Sequence, residues 1–301
     1  MVIEMVSIPL KHLLEQKARP ILVELDPPRQ TDPATFLAGA GELAAAGADV
    51  ITVADCPVGR VGIDASLLAA KLRREYGIEV LPHMACRDRN LNAIQALLLG
   101  LAMEQVGSVL LVTGDPVAQK DRAHIKGVFQ LNSQTLAQAI VQKAKAEELP
   151  DFFLCGALNV NAPNFEAELK KARRKEEFGI RAFLTQPLSS RQAEENLFRA
   201  RKELRGYLLG GLFPIVSYKN ACFLQKNVAG MAIDPEIVRS YENLDREQGE
   251  ARARELCLEI AGRTAKLVDG FYIMTPFQRV ELVKSIIAGI RKADETHADS
   301  Y

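Results

Sequence analysis

Eight short apolar runs punctuate the chain, and each ends on a polar residue. Pro20–Val23 stops at Glu24, Val50–Ala54 at Asp55, and Val80–Pro82 at His83. Val109–Val112 leads to Thr113-Gly114-Asp115, Phe152–Leu158 to Asn159, and Ala182–Thr185 to Gln186. Leu212–Val216 leads to Ser217-Tyr218, and Gly270–Met274 to Thr275. Continuous apolar runs of this length are the signature of parallel strands buried on both faces. Between them lie segments with helical spacing: one from Asp32-Pro33, then Arg89–Glu104, Ser133–Glu148, Asn164–Phe178, Arg191–Leu204, Lys219–Asn227, Glu247–Lys266 and Pro276–Lys292. Strand and helix alternate at roughly thirty residues per unit, as parallel crossovers require. The pattern predicts a single (β/α)8 TIM barrel across residues 1–301, with its core at about 15–290. The interval between strand seven (near 211–216) and strand eight (near 269–274) is oversized. Asp234-Pro235 signals an extra helical segment there, expected to act as a lid or to contact substrate.

Barrel chemistry sits at the C-terminal ends of the strands. Glu24, Asp55, His83, Asp115, Asn159, Gln186, Tyr218 and Thr275 are therefore expected to share one mouth. Glu24 precedes Asp26-Pro27-Pro28-Arg29, where two prolines stiffen the exit. A partly desolvated carboxyl at that place would have a raised pKa and serve as a general acid. Gly114 lets backbone approach a planar ligand beside Asp115. Arg174 and Lys175 belong to the one dense basic run, Lys170–Lys175, which reads either as a solvated helix face balanced by neighbouring glutamates or as a phosphate anchor. Gly39-Ala40-Gly41 imitates a dinucleotide fingerprint, but it falls inside a predicted helix with no strand immediately before it, so small-residue helix packing is the reading.

At 301 residues the chain has ample length for one barrel. Equal numbers of acidic and basic residues, 38 each, give no field favouring nucleic acid or an anionic membrane. Five scattered cysteines without a C-x-x-C fit a reducing compartment better than a disulfide framework. The N-terminus has no basic, apolar signal pattern, and no stretch approaches about 18 uncharged apolar residues. A cytoplasmic protein is expected, with no membrane or nucleic-acid partner. The polar tail Ala293–Tyr301 is expected to fray. No metal is assigned, although Glu24, Asp55 and Asp115 beside His83 keep a metal-dependent barrel open as an alternative.

Five blocks in order resemble the methylenetetrahydrofolate reductase family: Val23-Glu-Leu-Asp-Pro-Pro-Arg29, Pro82-His-Met-Ala-Cys86, Thr113-Gly-Asp-Pro116, Leu184-Thr-Gln-Pro187 and Gly211-Leu-Phe-Pro-Ile215. With Ile273-Met-Thr-Pro-Phe277, they are most similar to the reductase half of bifunctional homocysteine methyltransferase/reductase proteins and to acetogen-type reductases. The resemblance implies a cytoplasmic flavoprotein of one-carbon metabolism, feeding methionine biosynthesis. Its reaction would be flavin-dependent reduction of 5,10-methylenetetrahydrofolate to 5-methyltetrahydrofolate. It implies Glu24, Asp115 and Gln186 as catalytic residues, Glu24 being the general acid. His83, Thr113, Gly114, Asp115, Asn159, Arg174 and Lys175 would bind FAD, or FMN, with Arg174 and Lys175 on phosphate. Gln186 and Tyr218 would contact folate or nicotinamide. The electron donor would be NADH or NADPH, or a redox partner subunit, in a homo- or hetero-oligomer. Ala54-Asp55 stands where the family usually has Thr-Tyr, so an extra carboxylate at the mouth is expected to disfavour a dinucleotide phosphate. The competing reading is a flavin-free pterin-binding barrel that transfers a methyl group.

Overall fold

In a computed structural model, which describes residues 8–117, 119–228 and 230–298, eight parallel strands close into one barrel in chain order, β1 pairing with both β2 and β8. The strands are β1 (Ile21–Leu25), β2 (Val50–Val53), β3 (Glu79–Ala85), β4 (Ser108–Val112), β5 (Phe153–Leu158), β6 (Ala182–Pro187), β7 (Tyr207–Leu212) and β8 (Gly270–Met274). The helices are α1 (Leu10–Glu15), α2 (Ala34–Ala45), α3 (Ala65–Tyr76), α4 (Leu91–Met103), α5 (Ser133–Lys145), α6 (Phe165–Glu177) and α7 (Arg191–Glu203). Three more, α8 (Tyr218–Asn227), α9 (Pro235–Arg239) and α10 (Arg246–Thr264), separate β7 from β8, and α11 (Val280–Ala298) follows β8. Helix α11 carries residues 293–298 of the segment expected to fray; residues 299–301, and residues 1–7 of the N-terminus, lie outside those described.

Two apolar bodies make the core. One fills the space between strands and surrounding helices. The other fills the barrel itself, with Leu22, Val50, Leu81, Leu110, Cys155, Leu184, Leu209 and Tyr272 on its inward positions. Helix α1 closes the N-terminal end: Leu10, Leu13 and Leu14 are buried in that inner cluster. The backbone N–H of Leu10 donates to the buried Glu79 carboxylate at 3.1 Å. Gly39 lies inside α2, where an added Cβ would come within 3.1 Å of the Val280 side chain on the neighbouring α11, so the dinucleotide-like glycines serve close helix packing.

Strand seven departs from the sequence expectation. It spans Tyr207–Leu212, and the apolar Phe213–Val216 run leaves the barrel as loop. Gly210-Gly211 are strand residues, and the pairing of β6 with β7 shifts register between Leu184 and Pro187. A Cβ on Gly211 would stand 2.5 Å from the Thr185 carbonyl oxygen, so only glycine fits the close approach.

Leu14 is 1% exposed at the barrel floor. Leu14→Ala is expected to cost about 2–5 kcal/mol in urea denaturation. A loss under about 1 kcal/mol would mean that α1 is no part of the cooperative core.

Candidate active site

The inward positions of the barrel change character within one pleat. Side chains two apart on a strand share a face, so Glu24 stands above Leu22, Thr52 above Val50 and His83 above Leu81. The β1–β2 register sets Glu24 opposite Thr52, and the β1–β8 register sets Leu22 opposite Tyr272. An apolar floor thus gives way to a polar layer of Glu24, Thr52, His83 and the Tyr272 hydroxyl.

Tyr272 Oη donates a hydrogen bond to Glu24 Oε2, and His83 Nε2 lies 3.6 Å from the same oxygen. Burial pushes the Glu24 carboxyl up to about 7; the Tyr272 bond opposes this and the Asp26 charge adds to it. Burial drives the His83 imidazole down to about 4, against a smaller opposing pull from Asp55. Near pH 7 the two therefore meet as a neutral ring and a half-protonated carboxyl, not as an ion pair. Four buried polar atoms around this end of the barrel lack a hydrogen-bond partner among the described residues: Thr52 Oγ1, His83 Nε2, Asn161 Oδ1 and Thr275 Oγ1. An unmet buried polar atom costs roughly 1–3 kcal/mol, so each of these four would gain from a polar partner.

The remaining expected residues divide into three groups. Asp115 is exposed at the rim beyond β4, after Gly114 at φ +91°. The Gly114 turn packs so closely that an added Cβ would come within 3.0 Å of the Arg87 Cβ. Thr113 is occupied at the start of α5, its Oγ1 accepting from Ser133 N at 3.2 Å. Gln186 and Asn159 converge under Gly230: a Cβ there would lie 3.4 Å from Gln186 Oε1 and 3.5 Å from Asn159 Nδ2. Asn161 Nδ2 ties this segment down, donating to the carbonyls of Pro187 (3.0 Å) and Gly230 (2.9 Å). Tyr218 opens α8, capped by Ser217, and the residue is 43% exposed.

Arg174 and Lys175 have contacts of their own. Both sit in the last turn of α6, which runs away from the mouth. Lys175 is buried, and its ammonium donates to the Ala157 carbonyl at 2.6 Å, with burial lowering its pKa. The Arg174 guanidinium lies over the Phe178 ring, 5.4 Å from its centroid. In this structure one cation meets the backbone near the mouth end of β5 and the other a helix-end aromatic. Neighbouring Arg173, Glu176 and Glu177 line a cavity of about 1470 Å³ at the opposite, N-terminal rim. Glu79, also in its lining, is engaged by Leu10 N and lies 3.7 Å from Arg73.

Asp55 is likewise not the free charge expected. Its carboxylate accepts from Ala85 N at 2.9 Å and pairs with Arg89 at 2.5 Å, while Arg89 reaches Asp64 at 2.6 Å. Asp64 also caps α3. A buried carboxylate held against a guanidinium exerts little net field on an incoming anion, so the expected repulsion of a dinucleotide loses its basis. Sequence reasoning missed Tyr272 and Arg89. Tyr272 sat inside an apolar run, and Arg89 lay in a charged stretch without a visible partner. No three or more His, Cys, Asp or Glu side chains among the described residues are grouped to hold a metal. No helix among them is long and apolar enough to cross a membrane.

The Glu24 shift has a thermodynamic consequence. A carboxyl raised from 4.5 to about 7 in the folded chain favours folding in its protonated form. That contribution is complete below pH 4.5 and is lost as the pH rises through about 7. Glu24→Gln is therefore expected to stabilise the protein at pH 8 by up to about 3 kcal/mol and to change little at pH 4. The His83 contribution, lost as the pH falls from 6.5 towards 4, is common to both proteins and cancels. Urea unfolding at both pH values reads the difference, and an equal effect at the two would contradict the buried-acid description.

The methylenetetrahydrofolate reductase family model matches residues 9–290. Among solved structures, an uncharacterised protein from Clostridium thermocellum that binds two copies of 5-methyl-5,6,7,8-tetrahydrofolic acid superposes with a TM-score of 0.67 at 14% identity, covering 95% of this chain and 99% of that one. A 2,3-dimethylmalate lyase of the PEP mutase/isocitrate lyase superfamily (TM-score 0.53, 12% identity, 95% and 82% covered) shares the fold. So does tryptophan synthase from M. tuberculosis (TM-score 0.53, 14% identity, 93% and 96% covered). Comparison with curated protein sequences gives no significant match. The structural likenesses speak to fold alone, whereas the family model covers nearly the whole chain, barrel floor and mouth together; the chain belongs to the methylenetetrahydrofolate reductase family.

Proposed function

We propose that the chain reduces 5,10-methylenetetrahydrofolate to 5-methyltetrahydrofolate at the barrel mouth, with Glu24 as general acid. The observation that carries this reading is the buried Glu24 carboxyl, held by Tyr272 and titrating near 7. Methylenetetrahydrofolate must open its five-membered ring to an iminium before it can accept hydride, and opening needs a proton on the departing nitrogen. An acid whose pKa lies near the working pH is protonated often enough and strong enough to deliver it. Neutral His83 beside it adds no cation that would lower the carboxyl pKa and leave the acid ionised before substrate arrives.

A bound flavin would supply the hydride. The orphaned His83 Nε2 and Thr52 Oγ1, with the Gly114 turn, suit the polar edge of a planar ring. Asp115 and Gln186 would orient the pterin, and Tyr218 offers an exposed aromatic face for folate or nicotinamide. The cofactor would be FAD or FMN, with Arg174 and Lys175 as its candidate phosphate anchors. NADH, NADPH or a redox partner would deliver electrons. The likeness to a protein that binds 5-methyltetrahydrofolate supports a folate ligand. Cytoplasmic placement and a role in methionine biosynthesis belong to the same reading.

The visible spectrum of the purified protein separates this from the flavin-free methyltransferase: flavin bands are expected, and a colourless protein that binds folate would favour the alternative. In stopped flow, Glu24→Gln is expected to slow oxidation of the reduced flavin by methylenetetrahydrofolate by about 10²–10⁴-fold. Reduction of the flavin by its donor should persist. Equal slowing of both half-reactions would make Glu24 a flavin-tuning residue. Anaerobic mixing with excess NADH identifies the donor: fast bleaching of the flavin band means the chain accepts nicotinamide directly, and slow bleaching points to a partner protein.

A further inference from the structure

Both polar contacts of Glu24 fall on one oxygen, Oε2. The side chain still keeps 19% of its surface exposed. Of the two groups at Oε2, only Tyr272 is in hydrogen-bonding contact; His83 at 3.6 Å is beyond it. Register explains why a phenol reaches this place. Tyr272 pairs with Leu22 across the β1–β8 seam, one pleat below Glu24 on the same inward face, and its ring belongs to the apolar barrel core. From there its hydroxyl extends up into the polar layer. A buried phenol needs a partner, and Glu24 is that partner.

We infer that Tyr272 is the positioning residue for the Glu24 acid: it pins Oε2 to the barrel wall, leaves Oε1 to face the mouth, and supports the carboxylate left once the proton has gone. The last part rests on the proposed function; the first two concern the chain without ligand. The proton passes from Glu24 Oε1 to the departing nitrogen of the substrate, and Tyr272 keeps its own. Burial, then the Glu24 charge and hydrogen bond, hold the Tyr272 hydroxyl well above its ordinary range, so it donates a bond without giving up the proton. The other titratable groups around Glu24 are His83 on β3 and Asp26 at the exit of β1, with Asp55 acting beyond His83 and itself paired to Arg89.

Two substitutions at one position test this in opposite directions. Tyr272→Phe removes the donor, whereas 3-fluorotyrosine at 272 keeps size and shape and strengthens it. The Glu24 side-chain carboxyl is followed by ¹³C NMR in the unliganded protein, its signal assigned by its loss in Glu24→Gln. Losing a hydrogen bond to a charged group should raise the titration midpoint by about one pH unit or more, and fluorination should lower it. The descending limb of the folate half-reaction should move with each. A midpoint unchanged in both variants, or moved the same way by both, would overturn the inference, and the isosteric fluorinated chain decides it even where the Phe variant folds poorly. Should the midpoints move as expected in a protein that does not reduce methylenetetrahydrofolate, the positioning of Glu24 stands and the proposed function falls.

Discussion

A carboxyl buried inside a closed barrel is the constraint to which the rest of this molecule answers. Glu24 can stay there only because closure brings β8 beside β1 and sets the Tyr272 hydroxyl against Oε2. Its retention in an apolar surround raises the proton affinity towards neutrality, which is the property an acid catalyst needs. Desolvation is unfavourable to the charged form, and the apolar floor below must offset it. That floor is supplied by the inner cluster and by α1, which closes the end remote from the mouth.

Around that point the loops are tied to one another, so the mouth has a fixed outline. Arg89 joins Asp55 beyond β2 to Asp64 at the start of α3. The Arg87 backbone carbonyl receives Val128 N at 2.6 Å, drawing the long β4–α5 connection across the end of β3. On the far side, Asn161 fastens the segment around Gly230 over β5 and β6, directly above Gln186 and Asn159. Charges that looked available to a ligand in the sequence are in several cases used for this tying. Buried charges are tolerated when paired or hydrogen-bonded, and Asp55 and Lys175 obey that rule with Arg89 and with the Ala157 carbonyl respectively.

The split between the basic helix and the mouth follows from barrel direction. A helix after a strand begins at the mouth and ends at the floor, so a residue late in α6 starts near the floor. The Lys175 ammonium nevertheless reaches back to the Ala157 carbonyl near the mouth end of β5. Asn164 caps the near end of α6, while Arg173 and Glu176 line the cavity at the other rim.

The sequence by itself determined the barrel, the direction of its strands and the residues at most of their ends. Apolar runs of three to seven residues are satisfied by two-sided burial, and regular helical spacers return the chain in parallel. Glu24 and His83 were legible for that reason, as was the decoy character of Gly39-Ala40-Gly41. Helices α1 and α3 gave no such signal, and β7 was displaced because the apolar Leu212–Val216 run reads as strand where the structure has Tyr207–Leu212, its Gly211 in close approach to Thr185. What only the tertiary structure decided was pairing across distance: Tyr272 with Glu24 over 248 positions, Arg89 with Asp55 over 34, Lys175 with the backbone of β5. A local pattern records which face a side chain takes, but a partner is chosen by strand register and barrel closure, and those are properties of the whole sheet.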